Sequence, residues 1–308
     1  MRTAVIGTDR SDEKCVVTPT VDDHRDTEHQ FTRQGREITA RVVAIGVDQG
    51  HVLVFGDGAE LEDCLVRIHS RCLYGDALRS DDCDCGPELD LAMDMIQDEG
   101  RGVLIYLEQE GRGAGLVNKA RAYQYGQTNN ADTFDSYREL GLPLDSRRYT
   151  AAAQALRGLG IKKIRLLTNN PDKARDLSRA GLRVQMISLL TPPQNPRVDR
   201  YLAAKRAHRG HRLPASWRSY RWADRMMRTG ALLAFGLSCG ALAAGLRNLV
   251  LTVWERLSPN AVVPAGAFVI TGVGVAAMLG LLVGQRGSAR WRVRKARLAS
   301  RFAFLQLR

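Results

Sequence analysis

Acidic side chains are nearly missing from the last third of this chain. From residue 197 onward there are three (Asp199, Asp224 and Glu255) against 20 Lys and Arg. The first 196 residues hold the other 30 acids against 25 basic residues, so the net charge of +12 belongs to the tail, and the body is mildly acidic. That split argues against a nucleic-acid-binding body, which would carry a basic face of its own. Residues 1–33 also lack the apolar core of a secretory signal. With no oxidising compartment indicated, the six cysteines (Cys15, Cys64, Cys72, Cys83, Cys85 and Cys239) are better read as metal ligands than as disulfides. No internal repeat is present. What remains is the composition of a folded protein, 44% hydrophobic and 25% charged over 308 residues, enough for one large domain or two smaller ones.

Residues 1–33 show little periodicity, and a disordered or loosely attached arm is expected there. Alternation of apolar and polar residues over 38–42 and 51–55, around Asp48-Gln49-Gly50, predicts a hairpin. A strand is expected over 64–68 and a helix over 87–98, with Gly100 beyond its end. Then come a buried strand over 103–107, a helix to about 126, a helix over 150–159 and a strand over 164–167. A helix over 172–179, closed by Gly181, and a strand over 184–187 follow. Strands alternating with helices predict an α/β or mixed α+β domain.

Three clusters can carry chemistry. His69-Ser70-Arg71-Cys72 with Cys83-Asp84-Cys85-Gly86 offers three thiolates. They can bind zinc and leave its fourth position to water, close a structural site with a ligand such as His69, or be buried thiols; spacing alone does not choose. Glu110-Gly111-Arg112-Gly113-Ala114-Gly115 lies between a strand and a helix. It suits phosphate at the helix start or is a plain tight turn, and its glycine spacing is not the dinucleotide one. Thr168-Asn169-Asn170-Pro171-Asp172-Lys173 also opens a helix, either to meet base or phosphate or simply to cap it. By itself Asp145-Ser146-Arg147-Arg148-Tyr149 is an ordinary charged loop.

Taken together and in this order, these segments resemble GTP cyclohydrolase II, the first enzyme of riboflavin biosynthesis. Arg67-Ile68-His69-Ser70, Gly75-Asp76-Ala77-Leu78, the cysteine loop, Gly115-Leu116 and Asn118-Lys119-Ala120-Arg121-Ala122-Tyr123 also carry the likeness, which runs from about residue 34 to 196. The resemblance implies that Cys72, Cys83 and Cys85 hold Zn2+, whose water attacks C8 of the guanine ring and releases formate. Arg147 matches the family's nucleophile toward the α-phosphate, Asp145 its acid/base partner, and Tyr123 a tyrosine beside the base; attack at the α-phosphate would release pyrophosphate. Arg67, His69, Ser70, Glu88, Glu110, Gly111, Arg112, Thr133, Thr168 and Lys173 match substrate-binding positions. Mg2+ with the triphosphate, GTP as substrate, a homodimer and no nucleic-acid partner complete the expectation. The chain departs from the family's pattern at Arg71 (usually Glu), Tyr74 (usually Thr), Asp82 (usually basic), Glu88 (usually Gln) and Ala114 (usually Ile). An altered paralogue with a formylated product or a specialised pathway, and a non-catalytic nucleotide-binding membrane protein, are the alternatives these changes raise.

Past the catalytic segment, residues 229–246 and 257–285 carry no charge, in runs of 18 and 29 residues. A helix of the first length spans about 27 Å, close to the bilayer's apolar thickness of roughly 30 Å. Arginines and lysines crowd both outer flanks, while the connection holds only Arg247 and Arg256 against Glu255. This predicts a multi-pass cell-membrane protein with the catalytic domain on the cytoplasmic side. The alternative is a buried helical pair in a soluble domain. The expected organisation is an arm (1–33), an α/β (mixed α+β) GTP cyclohydrolase II-like catalytic domain (34–200), a basic linker (201–228), an all-α two-helix transmembrane hairpin (229–285) and a basic tail (286–308).

Overall fold

The computed structural model describes residues 25–46, 49–57 and 61–218, together with scattered positions between 240 and 256. Most of the expected hairpin, the whole basic tail and residues 1–24 of the arm lie outside the described residues. Among those described, no helix is long and apolar enough to cross a membrane.

In chain order the elements are β1 (His29–Arg33), β2 (Arg36–Ala44), β3 (Gly50–Phe55), β4 (Cys64–Ser70), α1 (Leu73–Asp76), α2 (Cys85–Glu99), β5 (Gly102–Leu107), α3 (Leu116–Asn129), α4 (Thr133–Glu139), α5 (Thr150–Gly158), β6 (Lys163–Leu167), α6 (Pro171–Arg179), β7 (Arg183–Ile187) and α7 (Pro196–Arg209). Seven strands form one sheet in the order β1-β2-β3-β5-β4-β6-β7. The β1–β2, β2–β3 and β3–β5 pairs are antiparallel, whereas β5, β4, β6 and β7 run parallel. The mixed α/β architecture is the one expected.

The predicted hairpin is β2–β3, with Val42 opposite Leu53. Gly50 opens β3 with φ +130°, and a Cβ there would stand 2.1 Å from the Tyr106 carbonyl oxygen, so only glycine lets β5 pair this closely. Helix α2 begins two residues earlier than expected and therefore carries Cys85 in its first turn. It stops at Gly100, which is left-handed and donates its N–H to Ile96 O.

The sheet is covered on both faces, as parallel strands require. Val66, Ile68, Val103, Ile105, Ile164 and Leu166 pack under α5 and α6, with Leu156 and Leu177 fully buried among them. Leu65, Leu104 and Phe55 face α2 through Ala92, Met95 and Ile96. Strand alternation then dictates that Arg67 and His69, two and four residues after Leu65, point to the α2 side at the end of β4. These two polar residues are 3% and 2% exposed, set among the buried Cys64, Leu65, Val66 and Ile68 of the same strand.

Two boundaries move. Residues 29–33 are not part of a loose arm: they pair along β2, His29 with Ala40 and Arg33 with Arg36, and Thr27 bonds the backbone of Val42. Nor do residues 201–218 form a free linker. Helix α7 buries Val198 and Leu202 against Leu190 and Trp217, so the catalytic domain extends past residue 200.

Candidate active site

The carboxyl ends of β4, β5 and β6 lie side by side, and a loop with polar side chains leaves each one. In an open α/β sheet this is where a ligand binds.

The β4 loop gathers three thiols. Cys72, Cys83 and Cys85 place their sulfurs within 4.8 Å of one another, with Cys72 Sγ 3.7 Å from Cys83 Sγ. Two thiolates on one tetrahedral zinc sit about 3.8 Å apart, from Zn–S bonds of about 2.3 Å, so the Cys72–Cys83 pair is already at the spacing of a shared metal. Gly75 and Gly86 make this closeness possible. A Cβ on Gly86 would lie 2.3 Å from Gly75 O, and one on Gly75 would lie 2.8 Å from Cys83 Sγ. Hydrogen bonds from Cys83 and Cys85, together with the Lys119 ammonium 3.0 Å away, hold Cys72 as a thiolate at about 3. Lys119 is fixed in turn by Glu110 Oε1 at 2.8 Å.

His69 is not a fourth ligand. Its Nδ1 accepts from Arg67 Nη2 at 3.4 Å; arginine can only donate, so the ring proton lies on Nε2, which donates to Asp76 Oδ2 at 2.9 Å. Asp76 also accepts from Tyr106 O–H and from the Cys72 N–H. Burial alone would raise this carboxyl, but these hydrogen bonds, His69's foremost, hold it low. Among the described residues no fourth ligating group joins the three thiols.

Beside the thiols opens a cleft of about 650 Å³, counted to its mouth. Arg67, Arg112, Arg147, Lys173, Lys205 and Arg209 supply cations to its lining; Glu88 and Asp145 are the carboxylates. Such an excess suits a polyanion. Arg67 is held by Glu88 at 2.7 Å and by Leu167 O at 3.0 Å, and Glu88 accepts from Asn169 Nδ2 at 3.0 Å. Lys173 donates to Ile68 O at 2.8 Å, and burial pushes its ammonium well below the usual lysine range. Arg147 is gripped by both oxygens of Asp145, Nε to Oδ1 at 2.9 Å and Nη2 to Oδ2 at 2.7 Å. Arg112 lies in the left-handed region at φ +58° and stacks 4.0 Å above the Phe134 ring; its buried Nη1 makes no hydrogen bond among the described residues. Arg67 Nε is likewise buried and unbonded. Two buried guanidinium donors left open in a cationic cleft are available to a ligand.

A model of the GTP cyclohydrolase II family matches residues 25–188. The chain belongs to the GTP cyclohydrolase II family. Among similar proteins, the GTP cyclohydrolase-2 of Neisseria meningitidis (serogroup A) is 47% identical over 164 residues, which are 53% of this chain and 83% of that protein. That of Yersinia pestis is 47% identical over 161 residues, 52% and 82% of the respective chains. The riboflavin biosynthesis protein RibBA of Salinispora tropica is 48% identical over 162 residues, but these are only 40% of its length and 52% of this chain. This family membership makes the protein an enzyme of the hydrolase class.

Of the residues singled out from the sequence, Arg67, His69, Ser70, Cys85, Glu88, Arg112, Asp145, Arg147, Thr168 and Lys173 line this one cleft of the cyclohydrolase domain. Tyr123 and Thr133 line a neighbouring hollow between α3, α4 and α7, divided from the cleft by Tyr201, which faces both. Glu110 and Gly111 stand outside both linings. Glu110 binds Lys119 and the Leu73 N–H, while Gly111 offers its carbonyl to Tyr137 O–H at 2.9 Å. Sequence reasoning missed the cleft residues Tyr201, Lys205, Arg209 and His211 of α7 and its sequel. Their signal was the Asn195-Pro196 helix start followed by polar residues every fourth position.

The departures from the family's pattern have local partners. Arg71 pairs with Glu108 at 2.7 Å, Asp82 with Arg197 at 2.6 Å and Glu88 with Arg67 at 2.7 Å. The Tyr74 ring meets those of Tyr123, 5.7 Å away, and the Lys119 ammonium. The three charge changes are therefore each neutralised within a few ångströms.

Proposed function

We propose that this enzyme hydrolyses GTP, opening the guanine imidazole ring and yielding the diaminopyrimidinone ribosylamine phosphate, formate and pyrophosphate. The observation that carries the reading is a cluster of three thiols, joined by no fourth ligating group among the described residues, at the edge of a strongly cationic cleft. Cys72, Cys83 and Cys85 would hold Zn2+, which when bound supplies an activated water near neutral pH. Asp76, His69 and Tyr106 fix the Cys72 backbone, and Lys119 screens its thiolate.

Arg67, Lys173 and Arg112 would neutralise the triphosphate, accompanied by Mg2+, with Ser70 and Thr168 as hydroxyl partners. Arg147 has committed Nε and Nη2 to Asp145, which leaves Nη1 for the α-phosphate. Covalent attack on phosphorus requires the guanidinium to surrender a proton. Asp145 Oδ2, 2.7 Å from Nη2, is the acceptor placed for it. Nη1 then bonds phosphorus as the bond to the pyrophosphate oxygen breaks, and the surplus Nη1 proton passes to Nη2, so that one proton in all is lost to Asp145. Tyr123 and Thr133 would act from the neighbouring hollow once Tyr201 turns aside. Glu88, Glu110 and Gly111 serve by holding Arg67, Lys119 and Tyr137.

A homodimer, attachment to the cell membrane through residues 229–285, and a cytoplasm-facing catalytic domain belong to the same proposal. Their support is the family resemblance and the flanking charge in the sequence. The test is mass spectrometry of products from the full chain, zinc-loaded, incubated with GTP and Mg2+. Stoichiometric formate and pyrophosphate are expected. A product retaining the formyl group would overturn the product assignment, and intact GTP would overturn catalysis.

A further inference from the structure

Helix α7 begins eight residues after residue 188, the last one matched by the family model, yet one of its stripes faces the catalytic machinery. Arg197, Tyr201, Lys205 and Arg209 follow at four-residue spacing, which stacks them along one side of a helix. Arg197 meets Asp82 at 2.6 Å, Lys205 meets Asp84 at 2.6 Å, and Arg209 reaches Asp172 at 2.5 Å and Asp145 at 3.3 Å. Val198 and Leu202 are buried in a small core with Leu190 and Trp217.

The Lys205 contact is unlike the others. Arg197 and Asp82 are 53% and 32% exposed, and a pair in that setting contributes little. The Lys205 side chain is 14% exposed and that of Asp84 only 2%. Asp84 sits between Cys83 and Cys85 and precedes α2 without a side-chain capping bond. Its Oδ2 has no hydrogen-bond partner among the described residues, so its carboxylate is held through Oδ1 by Lys205. The peptide carrying two of the three thiolates is therefore oriented by an ammonium group delivered from 121 residues away. A carboxylate buried this deeply and deprived of its cation is an uncompensated buried charge, which strains the backbone on both sides of it.

We propose that Lys205 is a positioning residue of the thiolate centre, setting the geometry of Cys83 and Cys85 through Asp84 and so governing both metal retention and turnover. The turnover half rests on the GTP reading above; the metal half does not. Partners that orient metal ligands typically change affinity or activity by about 10–100-fold when removed.

The test uses the full chain, zinc-loaded, in four variants: Lys205→Met, Lys205→Arg, Asp84→Asn and Leu202→Ala. Zinc release to a chromogenic chelator, kcat and KM for GTP, and Tm are measured for each. Lys205→Met and Asp84→Asn should shed zinc about 10–100-fold faster than wild type and lose kcat by a similar factor. For Lys205→Met, KM should rise by a smaller factor than kcat falls, and Lys205→Arg should recover most of both losses. Leu202→Ala, which loosens α7 without touching Asp84, should lower Tm but leave zinc release within about threefold of wild type. Wild-type zinc release in Asp84→Asn, or in a folded Lys205→Met, would overturn the proposal. So would Leu202→Ala shedding zinc as fast as these two, since α7 would then act through packing alone. Should Lys205→Met not fold, Asp84→Asn and Lys205→Arg decide the matter. If the wild type releases no formate and pyrophosphate, the GTP reading falls while zinc release still judges Lys205.

Discussion

Replacing Asp145 by Asn separates orientation of Arg147 from proton transfer. The amide is nearly isosteric, so Oδ1 can keep the Arg147 N–H and Nε–H, at 3.1 and 2.9 Å. The amide nitrogen would then face Arg147 Nη2 and Arg209 Nη2, which lie 2.7 and 3.3 Å from Oδ2 in the native protein. A donor among donors forfeits a charge-assisted hydrogen bond, worth about 1.5–3 kcal/mol. If Asp145 only orients, kcat should fall about 10–150-fold, at 1.36 kcal/mol per tenfold. If it also takes the proton, the loss should extend toward 10⁴-fold, the upper range for a positioned acid/base group. Tm should drop by roughly 3–12 °C for a domain of about 190 residues. Steady-state pyrophosphate release from pH 5 to 9, with wild type alongside, measures all but the last. A folded Asp145→Asn enzyme within threefold of wild-type kcat would refute the role assigned to this pair.

Three further outcomes follow from the geometry. Gly86→Ala places a Cβ 2.3 Å from Gly75 O and should abolish stoichiometric zinc by elemental analysis, while Gly100→Ala, strained by its φ of +79° but far from the thiols along α2, should lower Tm and retain zinc. Glu88 is pulled down to about 2, since Arg67 and Lys205 overcome a burial cost that alone would raise it. Against an ordinary value of about 4.3 this amounts to roughly 3 kcal/mol, fully present above pH 4.3 and lost as pH falls toward 2. The stability gap between wild type and Glu88→Gln in urea should therefore be widest near neutral pH and shrink across that window. Arg71→Glu turns a half-exposed pair with Glu108 into a half-exposed like-charge contact and should lower stability by about 1 kcal/mol or less in the same assay.

The central strands were legible because burial on both faces leaves near-continuous apolar runs, as in β4 and β5. The edge strand β1 was not. His-Gln-Phe-Thr-Arg carries one apolar residue and is largely exposed, so nothing in its pattern distinguishes it from an arm. Helix α4 offers Phe134, Ser136 and Tyr137 to the interior, two of them aromatic, and lies in a stretch whose pattern predicts no element. In α7 the cause is different: its inward stripe is cationic, and a charged stripe looks solvated until its acids are found at 82, 84, 145 and 172. The thiolate loop was visible because its spacing is local. The Arg67–Glu88–Asn169 network was not, since its members are 21 and 81 residues apart. A fragment cut at 34–200 would lose β1 and half of α7, including Lys205.

The parallel run of β4, β5 and β6 also acts as a shared chassis on which three loops are mounted separately. The thiolates hang from β4, the Arg112 turn from β5 and the Thr168 turn from β6. Arg71, Tyr74 and Asp82 lie in the first of these loops and Ala114 in the second, all outside the paired strands. A change in one mounting can therefore reshape that loop without moving the strands that carry the other two.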